Sequence, residues 1–286
     1  MRKSIKLTFL ASIAAVLLFT DANAQSILGD APMNGVYKKE HNLSKKPIEY
    51  THLREADVMW SKRVWRRIDL REKINLPLFY PQANEVNGIK NLAEILYSAV
   101  VTEGVLRAYT FGFEDEDFKM QMTATEIEKM VNKEKTITRP KLDDPNEEEE
   151  ITIKEIFTTN RIRSYLIKED WFFDKQRSVL DVRIIAICPL YDNEDPARPP
   201  QPLFWIYFPH AREVLAKYDV FNRFNTAERR TFDDIFWKRQ FSSFIVKEEN
   251  VYNRTIVEYK TGMDALLEAE RIKLDIVNFE HDLWEF

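Results

Sequence analysis

The sequence predicts an α+β fold: two related halves, each with a short antiparallel sheet flanked by capped helices, and then a C-terminal helix. Three observations predict it. Runs rich in Tyr, Trp, Phe, Ile and Val between residues 162 and 208 are separated by polar connections, as strands are. Elsewhere, apolar residues recur at helical spacing behind a capping residue and an acid three positions on. No long alternation of strands and helices runs through the chain, so a parallel sheet of βαβ units is not expected.

The chain opens with Arg2, Lys3 and Lys6, an apolar stretch over residues 7–19, and the small-x-small pattern Ala22-Asn23-Ala24. Residues 1–24 therefore read as an export signal cleaved after Ala24. The apolar core of 13 residues is well short of the ~20 that span a bilayer. Position 25 is Gln25, so no lipid is expected there. The expected product has 262 residues and a net charge near −7, since the leader carries three positive charges and one negative of a total of −5. That sign gives no case for nucleic acid, and no later apolar run is long enough for direct membrane insertion.

Residues 25–50, with Gly29, Pro32, Gly35, Pro47 and scattered lysines, read as an extended N-terminal arm ordered by a neighbour. Residues 51–142 are the first half. There Leu53, Ala56, Trp60, Val64 and Ile68 share one face of an expected helix, and Ile89, Leu92, Ala93, Leu96 and Val100 share a face of another. Asn91 with Glu94, and Thr123 with Glu126, are the expected N-terminal caps. Residues 143–150 hold six carboxylates, which repel one another and belong in a solvated linker. A calcium loop is the sharper alternative, but the Asp-x-Asp-x-Asp-Gly spacing is missing.

The second half is 151–260. Ile162 to Phe173, a polar connection over 174–178, and Val179 to Cys188 read as a hairpin, with Leu203 to Phe208 as a third strand. The prolines at 196, 199, 200 and 202 fall in the loop before it, and Thr231 with Asp234 caps a helix. Residues 261–286 are the C-terminal helix, capped by Thr261 and Asp264. Ala265, Ala269, Ile272, Ile276, Phe279 and Leu283 form one stripe, with Leu266, Leu267, Leu274 and Val277 beside it.

The two halves echo each other. Asp69-Leu70-Arg71 with Pro77-Leu78 recurs as Asp181-Val182-Arg183 with Pro189-Leu190 at a constant offset of 112. Pro81-Gln82-Ala83 answers Pro209-His210-Ala211, and the helix from Asn91 answers the one from Thr231. The preserved order favours an internal duplication over chance.

No residue stands out as catalytic, cofactor-binding or metal-ligating. The four histidines have no second histidine or cysteine at ligand spacing, and no nucleophile elbow or phosphate loop occurs. Cys188 is the single cysteine, inside an apolar run, and reads as a buried thiol. Glu114 to Asp117 lack the opposed placement of a glycosidase pair. What remains is contact surface. On the expected first helix, Trp60, Arg63, Trp65, Arg66 and Arg67 combine aromatic and cationic groups as interface hot spots do. The plainer alternative closes the core with Trp65 and pairs the arginines with acids. Phe279, Leu283, Trp284 and Phe286 are the second candidate contact, for docking on a neighbouring subunit.

The run from Arg54 to Arg66, its continuation from Ile68 to Asn75, and the segments Lys168 to Lys175, Val182 to Ile185 and Pro202 to Tyr207 resemble the GldN (PorN) family. That family belongs to the type IX secretion system of Bacteroidetes. The resemblance implies a non-enzymatic periplasmic protein, without cofactor, attached to the inner face of the outer membrane through a partner. The implied partners are the lipoprotein GldK (PorK), further copies of itself in a ring, and the periplasmic domain of the motor protein GldM (PorM). The implied processes are protein secretion and gliding motility. A secreted carbohydrate-binding domain or hydrolase, using Trp-rich strands as a sugar platform, is the rival expectation.

Overall fold

Three long strands dominate the architecture. The computed structural model describes residues 36, 42–82, 88–111, 118–132, 134–140, 148–154, 158–193, 198–225 and 227–283. The strands are β1 (Val58–Asp69), β2 (Ala108–Tyr109), β3 (Gln121–Met122), β4 (Glu134–Pro140), β5 (Glu148–Lys154), β6 (Ile162–Asp174), β7 (Val179–Tyr191), β8 (Gln201–Pro202), β9 (Trp205–Tyr207) and β10 (Phe244–Glu248). The helices are α1 (Leu76–Phe79), α2 (Leu92–Tyr97), α3 (Ala124–Val131), α4 (Phe208–Leu215), α5 (Phe232–Trp237), α6 (Ile256–Tyr259) and α7 (Met263–Asp282).

One antiparallel sheet runs β10-β1-β6-β7-β9-β2-β3, with β8 beside β7, and β4 pairs with β5 separately. The α+β class holds, but the two-sheet plan does not. β1, from the expected first half, lies between β6 and β10 of the second, in register Trp65↔Lys168 and Trp65↔Lys247. Residues 42–286 form one compact unit. The echoed motifs also part company: Pro77-Leu78 lies in helix α1, whereas Pro189-Leu190 lies in strand β7. The helices behind Asn91 and Thr231 are the echo that does correspond, each six residues long.

The segment expected as a helix over 53–68 is instead the strand β1, entered through a short turn at Glu55–Asp57. The physical reason is aliasing. A spacing of four, as in Trp60, Val64 and Ile68, fits one helix face and also one strand face, because four is a multiple of two. Trp65 separates the two readings. In a strand it leaves the face of Val64 and points through the sheet to the other side.

That alternation divides the core into clusters. On one face Ile68, Tyr165, Ile167 and Ile187 pack with Leu92, Phe208, Phe232 and Phe236 from α2, α4 and α5. Also on that face, towards the other strand ends, Val64, Ile245 and Ile256 receive Ala269, Ile272 and Ile276 of α7. On the opposite face lie Trp65, Ala186, Cys188, Leu190 and Trp205. Cys188 is fully buried, and burial pushes its thiol far above the ordinary range.

Local chemistry explains the ends. Asn91 accepts the Glu94 N–H at 2.7 Å, and Thr123/Glu126 and Thr231/Asp234 form capping boxes. The expected Thr261/Asp264 cap is absent. Gly262 precedes α7 with φ 57°, a left-handed turn that glycine makes without steric cost. Pro202 falls in the two-residue strand β8 and not in a loop, at an edge where its missing N–H breaks no ladder. Of the acidic run, 143–147 lie outside the described residues, while Glu148–Glu150 open β5 opposite Pro140, Arg139 and Thr138.

Candidate docking surface

Most of the aromatic and basic residues of β1 have partners inside the molecule. Trp65 is 5% exposed, so it is no surface hot spot. Its two register neighbours are lysines, and the Lys247 ammonium lies 4.0 Å from the indole centroid and that of Lys168 5.6 Å away. Both lysines are buried with it, an arrangement in which the ring's negative face offsets part of the cost of burying cations. Lys247 also donates to the Asn253 side chain.

Arg63 holds Asp170 across the β1–β6 rung, its Nε and Nη2 donating at 2.6 and 2.7 Å. Arg66 donates to the Ser243 hydroxyl at 2.9 Å and to its carbonyl at 3.0 Å, and burial lowers its guanidinium pKa. Arg67 is half-buried. The expected hot spot at Trp65 is therefore corrected: alternation turned the tryptophan inward, and partners within the chain hold Arg63 and Arg66.

Trp60 takes a different role. Its ring stacks on Phe279 of α7 at 4.4 Å and 18°, and Phe173 meets Phe279 edge-on at 6.5 Å. The structure thus brings together two residues expected at separate contacts. Leu283 is half-buried, and Trp284 and Phe286 lie outside the described residues.

The helix α7 has two apolar faces. Ala265, Ala269, Ile272, Ile276 and Phe279 face the sheet. At about 100° per residue, Met263, Leu266, Leu267, Leu274 and Val277 gather on the opposite side. All five are exposed, Met263 at 70% and Leu267 at 62%. Along one border Arg271 binds Glu268 and Asp275 at 2.6 Å each, and from the other border Lys273 binds Glu270, which lies within the stripe, at 2.9 Å. An exposed apolar stripe, interrupted midway by Glu270 and flanked by ion pairs, is the build of a protein contact. The width of the apolar arc was the signal in the sequence; which half is covered needed the fold.

A second feature was not legible. Residues 42–50 belong to the expected arm, yet they lie on the chain's own domain. Lys45 binds Asp234 at 2.7 Å and the Thr231 hydroxyl at 3.2 Å. The Arg212 guanidinium lies against the adjoining rings of Tyr50 and Trp237, at 4.5 and 4.6 Å, and Arg212 holds Asp233 bidentately at 2.7 and 3.2 Å. Among the described residues no three His, Cys, Asp or Glu side chains gather as metal ligands, and no helix is long and apolar enough to cross a membrane. The Glu114–Asp117 acids lie outside them.

The family model for the gliding motility associated protein GldN matches residues 53–285. The chain belongs to the GldN family. The matched span runs from the approach to β1 through α7, so the Trp60–Phe279 clamp and the outward stripe both fall within a GldN domain. GldN proteins are components of gliding motility and type IX secretion, a structural family and not a known enzyme family. No curated protein matches the chain.

Proposed function

We propose that this GldN-family chain is a non-enzymatic periplasmic subunit of the type IX secretion system. It assembles with the lipoprotein GldK/PorK into a ring beneath the outer membrane and contacts the periplasmic domain of the motor protein GldM/PorM. The outward face of α7 carries the reading. A helix already seated on its own sheet, yet apolar on the far side, has a second surface whose burial needs another protein. The export signal expected over residues 1–24 supports the compartment, and attachment through a lipoprotein supplies the membrane contact.

The sugar-platform rival loses its platform. Trp65 and Trp205 are buried, and Trp60 and Trp171 pack in the cluster under α7. The test is sedimentation of a detergent extract from the source envelope. The chain is expected at very high mass with a lipoprotein; a monomer that ignores envelope lipoproteins and cleaves a substrate would overturn the reading.

A further inference from the structure

Away from α7, the helix α1 and residues 221–224 with Arg230 enclose a groove of ≈ 370 Å³. Its floor is apolar, made by Leu76, Pro77, Tyr80 and Phe221, and Phe224 stands at its mouth 82% exposed. Its rim is cationic: Lys73, Arg223 and Arg230. Arg223 lies over the Phe224 ring at 4.7 Å, and Arg230 has Glu228 at 3.5 Å. Among the described residues neither Lys73 nor Arg223 has an ion-pair partner. The volume lies at the small end of ligand pockets, about 300–1,000 Å³, which suits one or two aromatic side chains and not a folded element.

An apolar slot ringed by cations selects a bulky apolar side chain flanked by carboxylates. This chain carries such a segment at and beyond the last residue of α7: Asp282, Leu283, Trp284, Glu285 and Phe286. Its two acids flank large apolar groups, matching the two rim cations that have no ion-pair partner among the described residues. The other acid-aromatic runs are engaged already: Trp171 packs in the cluster under α7, Phe232 and Phe236 are buried, and the Phe118 ring meets Tyr109 and Tyr207 at 5.2 and 5.6 Å.

The segment does not reach its own groove. Phe279 is fixed at Trp60, whereas α1 hangs from the far end of β1 through Asn75 Nδ2 and the Asp69 carbonyl at 2.7 Å. Trp60 to Asp69 is roughly 30 Å of strand. From Phe279 to Phe286 the chain spans at most roughly 20 Å, three steps helical and four extended.

We infer that the groove receives the segment Asp282–Phe286 of a second copy, Trp284 entering the slot and Glu285 meeting Arg223. Each copy then offers one groove and one segment, a head-to-tail contact of the kind that closes rings. The inference rests on the ring reading above for its closure, and its test separates the two.

Cys188 is buried, so added surface cysteines report alone. Full-length mature Asn225→Cys is mixed with Phe286→Cys under mild oxidation. A disulfide-linked pair is expected, in roughly tenfold excess over the control mixture of Val251→Cys with Phe286→Cys. Adding Arg223→Glu to the first variant should remove that excess, and adding Glu285→Arg to the second should restore it. Yield equal to the control, indifference to the charge changes, or a purely intramolecular bridge in a chain bearing both cysteines would each overturn the inference. Co-purification of the lipoprotein with Arg223→Glu reports separately: retained alongside failed cross-linking, it leaves the secretion reading intact while the groove assignment falls.

Discussion

The rings of Trp60 and Phe279 stack 4.4 Å apart at 18°, and the contact ties the first long strand to the last helix. It also fixes which face of α7 is turned inward. With Phe279 over Trp60, Leu267 and Leu274 can only point away from the sheet. The outward stripe is thus a consequence of the inner seat and not of a loose helix.

Phe279→Ala removes that seat while leaving the helix sequence otherwise intact. A loss of about 2–3 kcal/mol is expected, below the range for a fully buried phenylalanine because this ring is half-buried. A urea midpoint checks the stability, and amide exchange over residues 263–282 should show protection lost there first.

Leu267→Asp with Leu274→Asp tests the other face. Both side chains are exposed, so stability should stay within about 0.5 kcal/mol of wild type per substitution. Assembly with partner subunits should disappear. Thermal melting and sedimentation of the same preparation separate the two outcomes.

Trp65→Ala should act on the fold and not on an interface. It opens a cavity between Lys168 and Lys247 and should cost about 3–5 kcal/mol. A variant that folds as stably as wild type yet fails to assemble would contradict the inward placement of the indole.

How much of this was readable in advance follows from which signals are local. The Asn91, Thr123 and Thr231 caps are decided within four residues of chain, and all three hold. The β6–β7 hairpin also announced itself, through β-branched and aromatic runs either side of a polar turn. β1 did not, because the i, i+4 spacing of Trp60, Val64 and Ile68 serves both periods. The pairing of β1 with β10, some 180 residues later, leaves no local mark. For α7, the apolar arc was legible while the split between seated and outward halves required the position of Val64 and Ile245.

Acid should loosen the hold of Lys45 on the N-terminal end of α5. Burial raises the Asp234 carboxyl pKa, but the Lys45 ammonium and the N–H and hydroxyl of Thr231 outweigh it, and the net position is below the ordinary value. A depressed folded-state pKa gives stability that is present above the unfolded value of about 3.9 and lost as pH falls through the folded one. Wild-type unfolding free energy should therefore drop below about pH 4 more steeply than that of Asp234→Asn. Parallel curves for the two proteins would remove Asp234 from the acid response.

The central claim is that the outward face of α7 is a protein contact. Sedimentation of detergent-extracted envelopes carrying wild type or Leu267→Asp/Leu274→Asp tests it most directly. Wild type should travel with a lipoprotein at very high mass, and the folded variant should remain at the top of the gradient. A variant that sediments with the wild-type complex would contradict the account.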